Sequence, residues 1–291
     1  MLDKKVESFL MLYETMNYRI AAEKLFLTQP AVTHHIQALE KEYNCKLFNY
    51  DRKKLTVTNE AHQLARHFRQ IMYNDNMVRQ KINKDKNTPL KIGVTKTIGE
   101  YVIEQYVVNF LKNSQRSLSI TVDNTENILH LIDNQTIDFA IVEGIFDKTK
   151  YGYRLFSKEN YTGICAKDHP FANKEVPFEK IFNNTAILRE KGSGTRKILE
   201  RVFYENSYKT DMFKRVIEVS CFSLVSHLTA QNMGISFAYQ CLAQKHPDLS
   251  VFYIKNYPIA YEFNYVYLKD SLACDVIDEF LGKNNKQSVQ S

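Results

Sequence analysis

The sequence predicts an α/β protein overall: an N-terminal all-α winged helix-turn-helix with a long helix after it, followed by a two-lobed α/β region. Three observations carry this. Apolar residues recur at helical spacing through the first third, strand-like and helical runs alternate through the rest, and "NTPLKIGVT" separates the two regimes. With 291 residues and 44% apolar side chains the chain exceeds one typical domain and can bury sizeable cores.

Composition excludes several classes. No run approaches the roughly 18 apolar residues of a membrane span. The charged, amphipathic start "MLDKKVESFLMLYE" is unlike a secretory signal, so a cytoplasmic location is expected. Cys45, Cys165, Cys221, Cys241 and Cys274 are scattered without a CxxC pair, as free thiols are, and neither a disulfide framework nor a metal or cofactor is expected. Of the net charge of +6, +5 falls within residues 1–87. A basic module beside a near-neutral body suits a polyanion-binding unit carried by a body with another task.

Val6, Phe9, Leu10 and Tyr13 mark a first helix and Ile20, Ala21, Ala22 and Leu25 a second. In "FLTQPAVTHHIQALEKEYN", Thr28 is the expected N-cap of a third helix, Pro30 fits its first turn, and Val32, Ile36 and Leu39 form its inward stripe. The outward Gln29, Pro30, Thr33, His34 and Gln37 are short or amide-bearing, able to approach base edges in a major groove; a small solvated helix has the same pattern. Strands at Lys46–Asn49 and Leu55–Thr58 flank the basic turn of Arg52 and Lys53, a wing placed to meet phosphates. Thr58 then caps a long helix whose Ala61, Leu64, Phe68, Ile71, Val78 and Ile82 step by threes and fours. Such a stripe suits pairing with a second chain or packing on its own domain.

"AAEKLFLTQPAVTHHIQALEKEYNCKLF" resembles the winged helix-turn-helix signature of LysR-type transcriptional regulators, with residue types and spacings agreeing over nearly thirty positions, and "RKKLTVTNEA" agrees with the wing and linker-helix start. The resemblance implies double-stranded promoter DNA, a small-molecule effector, self-association as dimer or tetramer and RNA polymerase as partners. Five positions depart from the family pattern: Arg19 and Ile20 precede the Ala-Ala pair, His34 and Gln37 replace the usual basic residues, and Ala61 stands for the usual glycine. A phosphate contact is therefore expected to move, with Arg19 available for it.

From Pro89 onward the pattern is α/β with a mostly parallel sheet: strands at Leu90–Thr95, Leu118–Asp123, Asp138–Glu143 and Tyr161–Ala166, then a second set at Thr185–Leu188, Val216–Ser220 and Ile235–Ala238. "YEFNYVYLK" is expected to return the chain to the first set, and Leu272–Leu281 to close it with a helix. The expected domains are residues 1–58, a linker helix and hinge at 59–88, and an effector domain at 89–291. Lobe I takes 89–161 and 266–291, and lobe II takes 162–265. This resembles the family's effector domain, which is similar to type 2 periplasmic binding proteins.

Ligands in such sheets lie beyond strand carboxyl ends, where helix N-termini offer N–H groups. Three junctions fit: Thr95, Thr97 and Ile98 in "GVTKTIGEY"; Ser193, Gly194 and Thr195 in "REKGSGTR"; Ser220 and Phe222 in "EVSCFS". Glu143 faces the same cleft and suits an ammonium or guanidinium group. Arg189, Lys191 and Arg196 are expected to supply positive potential. Capping alone also explains each junction's hydroxyls. The hydroxyls and helix ends favour a small anion.

Enzyme signatures are lacking: "GSGTRK" misses the GxxxxGK[ST] spacing, and GxGxxG, HExxH and GxSxG do not occur. The expected function is thus a non-enzymatic, ligand-responsive DNA-binding regulator. The alternative is a cytoplasmic solute-binding or small-molecule enzyme domain with an incidental N-terminal module.

Overall fold

Short polar side chains open the early helices, because their oxygens satisfy N–H groups that a first turn leaves bare. Asp3 caps α1 (Lys4–Thr15), Asn17 caps α2 (Tyr18–Leu25) by accepting from Arg19 N and Ile20 N, and Thr28 caps α3 (Gln29–Glu42) by accepting from Ala31 N. The computed structural model describes residues 3–51, 54–83, 88–269 and 271–283. They form two units, described separately below.

In the first unit, Phe9, Leu12, Ala21, Val32, Ile36 and Leu39 bury one apolar face from each of the three helices, and Leu47 joins them from the segment before the first strand. Strands β1 (Phe48–Asp51) and β2 (Lys54–Val57) pair antiparallel. They are displaced slightly from the expected Lys46–Asn49 and Leu55–Thr58. The reason lies in side chains some way off in sequence: Glu40 Oε1 accepts from Leu47 N and the Thr58 hydroxyl donates to the carbonyls of Lys46 and Leu47, so side chains take bonds that a ladder would use. Thr58 also accepts from Ala61 N at the start of α4 (Asn59–Asn83). Ala61, Leu64 and Phe68 join the core, but Ile71, Val78 and Ile82 further along are 40%, 43% and 73% exposed. The apolar stripe thus outlasts the core it packs on.

The second unit begins with β3 (Leu90–Thr95), α5 (Lys96–Tyr101), α6 (Glu104–Asn113), β4 (Leu118–Asp123), α7 (Thr125–Asp133) and β5 (Phe139–Glu143). Next comes β6 (Tyr151–Ala166), a 16-residue strand on the order of 50 Å long at about 3.3 Å per residue. There follow β7 (Glu175–Val176), α8 (Phe178–Ile181), β8 (Thr185–Arg189), α9 (Gly194–Glu205), β9 (Arg215–Val219), α10 (Phe222–Ala230), β10 (Ser236–Tyr239), α11 (Gln240–Gln244), β11 (Leu249–Ile254), β12 (Ala260–Leu268) and α12 (Ala273–Phe280).

The expectation of a mostly parallel sheet is corrected. Pairs β3–β4, β3–β5, β7–β11 and β8–β9 are parallel, whereas β5–β12, β6–β12, β6–β10 and β6–β11 are antiparallel. The antiparallel pairs all involve β6 or β12, the strands that carry the chain across. Residues 151–160 of β6 pair with β12 in the first lobe, and residues 161–166 pair with β10 and β11 in the second. The return occurs at Ala260, so residues 260–265 belong to the first lobe's sheet rather than the second, because β12 pairs with β6 along its whole length. α12 closes the first lobe, with Phe280 against Phe110 and Phe139.

Gly234 marks a close approach in the second lobe: a Cβ there lies 2.5 Å from the carbonyl oxygen of Thr185. That oxygen is fixed, accepting from Ile235 N. Gly234→Ala is expected to cost about 1–3 kcal/mol of stability as backbone gives way, measured by denaturant unfolding; an unchanged midpoint contradicts this packing.

Candidate functional site

In the first unit, burial of Val32, Ile36 and Leu39 turns the opposite face of α3 outward. Gln29, Pro30, His34 and Gln37 are exposed on it, and Thr33 is half-buried with its hydroxyl donating to the Gln29 carbonyl. Thr28 is exposed at the N-cap, and the Arg19 side chain, 80% exposed, pairs with Glu23 at 3.2 Å. His35 instead turns inward to Ser8 Oγ at 2.7 Å, a tie between α3 and α1. Arg52 and Lys53 lie outside the described residues.

In the second unit the strand ends and helix starts surround a cavity of about 440 Å³. Thr95, Glu143, Ser193, Gly194, Thr195 and Phe222 line it; Thr97, Ile98 and Ser220 do not. Ile98 is fully buried and Ser220 is exposed at the end of β9. Thr97 acts one step back, its hydroxyl donating to Glu143 Oε1 at 2.8 Å. The other carboxyl oxygen of Glu143 has no partner, nor do the buried hydroxyls of Thr95 and Tyr239. Burial pushes the Glu143 carboxyl up to about 8, against the opposing pull of the Thr97 hydrogen bond and the charge of Arg189. It is therefore largely protonated at neutral pH.

Ser193 caps α9 by accepting from Arg196 N and shares a hydrogen bond with the Thr195 hydroxyl at 2.9 Å. Arg189, 4% exposed, ends β8 beside this helix start. Glu190 clamps its Nε and Nη2 at 2.8 and 3.0 Å, and its guanidinium lies 4.0 Å over the Phe222 ring. Nη1 takes no part in that clamp. Arg189 and Lys191 line the cavity, but Arg196 does not: it is turned onto Glu200 and Glu218 and donates to the Arg189 carbonyl. Its charge is thus spent on the scaffold, correcting the expectation that it raises the potential of the site.

Sequence reasoning missed the wall built from Asp123 to Glu126 and the two tyrosines, Tyr239 and Tyr261. The first had a signal, since "TVDNTEN" is another strand-to-helix junction, with Asn124 Oδ1 accepting from Asn127 N. The tyrosines had none, because β10 and β12 bring them in from distant sequence. The five cysteines are free; Cys221 is exposed at the N-cap of α10, its thiol pulled down by a hydrogen bond from Ser223, and it does not line the cavity. No described helix is long and apolar enough to cross a membrane.

Comparison with known proteins matches residues 4–62 to the family described as "Bacterial regulatory helix-turn-helix protein, lysR family" and residues 83–282 to the "LysR substrate binding domain". The chain is 26% identical over 270 residues to the HTH-type transcriptional regulator CysL of Bacillus subtilis, covering 90% of this chain and 89% of that protein. In fold it is similar to a full-length OxyR variant from Pseudomonas aeruginosa, with a TM-score of 0.69 at 16% identity, covering 97% of this chain and 94% of that one. It is also similar to the Synechocystis CcmR regulatory domain solved in complex with 2-PG, with a TM-score of 0.60 at 22% identity, covering 70% of this chain and 100% of that one.

Proposed function

Because the chain belongs to the LysR family of transcriptional regulators, we propose that α3 reads promoter DNA and that a small anionic metabolite held in the cavity of the second unit shifts that binding. DNA reading is assigned to residues 1–58, chain pairing to 59–88 and sensing to 89–291. The observation that carries the sensing role is the cavity itself: a buried Arg189, the start of α9 and unpartnered polar oxygens converge on one volume of about 440 Å³. Pockets of this size, with few convergent polar groups, suit small ligands.

Pairing is supported by Ile71, Val78 and Ile82, apolar and exposed on α4. A non-enzymatic, cytoplasmic role is supported by the family match, a DNA-binding module joined to a substrate binding domain. The CcmR regulatory domain, similar in fold and solved in complex with 2-PG, supports a small-molecule effector by analogy. The effector shifts DNA binding only by its differential affinity for two arrangements of the protein.

Calorimetric melting of the full chain against a panel of small carboxylates and phosphates tests the cavity. A specific ligand raises the melting temperature with concentration; no shift for any member contradicts an anion site.

On the DNA side, Arg19→Ala is expected to weaken all duplexes alike and flatten the log–log salt slope by about 0.9. Gln29→Ala or Gln37→Ala is expected to cost about 1–3 kcal/mol of discrimination at single base positions. Binding titrations on matched and mutated duplexes separate the two behaviours.

A further inference from the structure

The cavity is electrically polarised. Its first-lobe wall carries the carboxylates Asp123 and Glu126 and the protonated carboxyl of Glu143 against one cation, Lys96, whereas its second-lobe wall carries Arg189, Lys191, Lys197 and Arg201 against one carboxylate, Glu190. An anion alone answers only the second wall.

At the acidic end three buried oxygen atoms have no hydrogen-bond partner: Glu143 Oε2, Thr95 Oγ1 and the Tyr239 hydroxyl. Their residues are 7%, 2% and 0% exposed, and all three line the cavity. Buried polar atoms are rarely left unpaired, so a set of three facing one cavity points to a missing partner. Each of the three oxygens accepts hydrogen bonds, and a primary ammonium carries three N–H donors. Thr97 already occupies the other oxygen of Glu143, which fixes the carboxyl and leaves one oxygen for a ligand.

At the basic end, Arg189 and the first N–H groups of α9 face the same volume, and Arg189 lies near enough to Glu143 to act on its charge. Resting on the effector-site reading above, we propose that the ligand is a small zwitterion of the amino-acid type. Its ammonium is received by Glu143, Thr95 and Tyr239, and its carboxylate by Arg189 and the start of α9.

Proton release gives this arrangement a signature. The titratable groups facing Glu143 are Arg189, Tyr161, Tyr239 and Cys241. Burial raises both tyrosines and pushes the Cys241 thiol up to about 12, so among these acids it is Glu143 that changes state near pH 7. An entering ammonium favours the carboxylate and expels its proton. An anion accepting from the neutral carboxyl leaves the proton in place.

The test is isothermal titration of the full-length protein at pH 7, in phosphate and in Tris, with pairs that differ only by the amino group: alanine and propionate, serine and 3-hydroxypropionate, aspartate and succinate, glutamate and glutarate. At least one amino acid is expected to bind tenfold or more tighter than its deaminated partner, with release of close to one proton. Glu143→Gln and Tyr239→Phe are each expected to shrink that ratio within the same variant. Deaminated acids that bind as tightly as their partners, without proton release, overturn the ammonium site while leaving the anion site standing. If no member of any pair binds, the ammonium site is overturned, and if no phosphate of the melting panel binds either, the effector-site reading falls with it.

Discussion

Glu143→Gln is expected to stabilise the ligand-free protein, increasingly so as pH rises. The carboxyl is held at about 8 in the fold against an ordinary 4.5, so between those values the native state keeps a proton that the unfolded chain has lost. The group's contribution is fully present below about pH 4.5 and is lost as pH climbs through 8, at about 1.4 kcal/mol per unit in between. Glutamine has no such slope, and its amide oxygen still accepts from Thr97. Calorimetric unfolding of both proteins should show an advantage for the variant that grows by on the order of 3 kcal/mol from pH 5 to pH 8. A constant difference across that range contradicts a protonated Glu143.

Arg189→Leu carries the largest expected loss of ligand binding. The guanidinium is almost fully buried, so its charge beside the cavity is poorly screened, and a hydrogen bond to a charged group is worth about 1.5–3 kcal/mol. Affinity for a carboxylate ligand is expected to fall about 10- to 100-fold, read by titration with whichever carboxylate stabilises the wild type. The substitution also frees Glu190 from its clamp, adding a negative charge to the wall and deepening the loss for anions. Wild-type affinity in this variant means that the carboxylate sits elsewhere.

The first unit was largely legible because its determinants are local. Thr28 and Thr58 each cap an N–H three residues on, and Val32, Ile36 and Leu39 follow one another by threes and fours, so the structure uses each as a cap or core residue. The wing strands shifted because Glu40 and Thr58 act across seven and eleven or twelve residues, beyond what strand alternation encodes. In the second unit most strands were readable, but residues 151–160 of β6 and all of β7 and β11 were not, and neither was strand direction. Antiparallel pairing of β6 with β10, β11 and β12 depends on where a long strand changes partners, at residues 160 and 161, and no turn signal marks that point.

The cavity was half legible for the same reason. Thr95, Glu143 and Ser193 to Thr195 announce themselves as strand ends and helix starts, so they were found. Tyr239 closes the acidic end from a strand whose side chain has no local cue. Arg196 misled because a cation in the first turn of a helix looks available to a ligand until Glu200 and Glu218 are seen holding it.

The most direct test of the account is selection of duplexes from a randomised pool by the full-length protein, followed by titration of the enriched duplex against salt. The prediction is enrichment of one sequence motif, an affinity that falls linearly on a log–log salt scale, and binding to a scrambled duplex at least about 10³-fold weaker. Failure to enrich any motif, or equal affinity for the scrambled duplex at every salt concentration, would contradict a DNA-reading regulator.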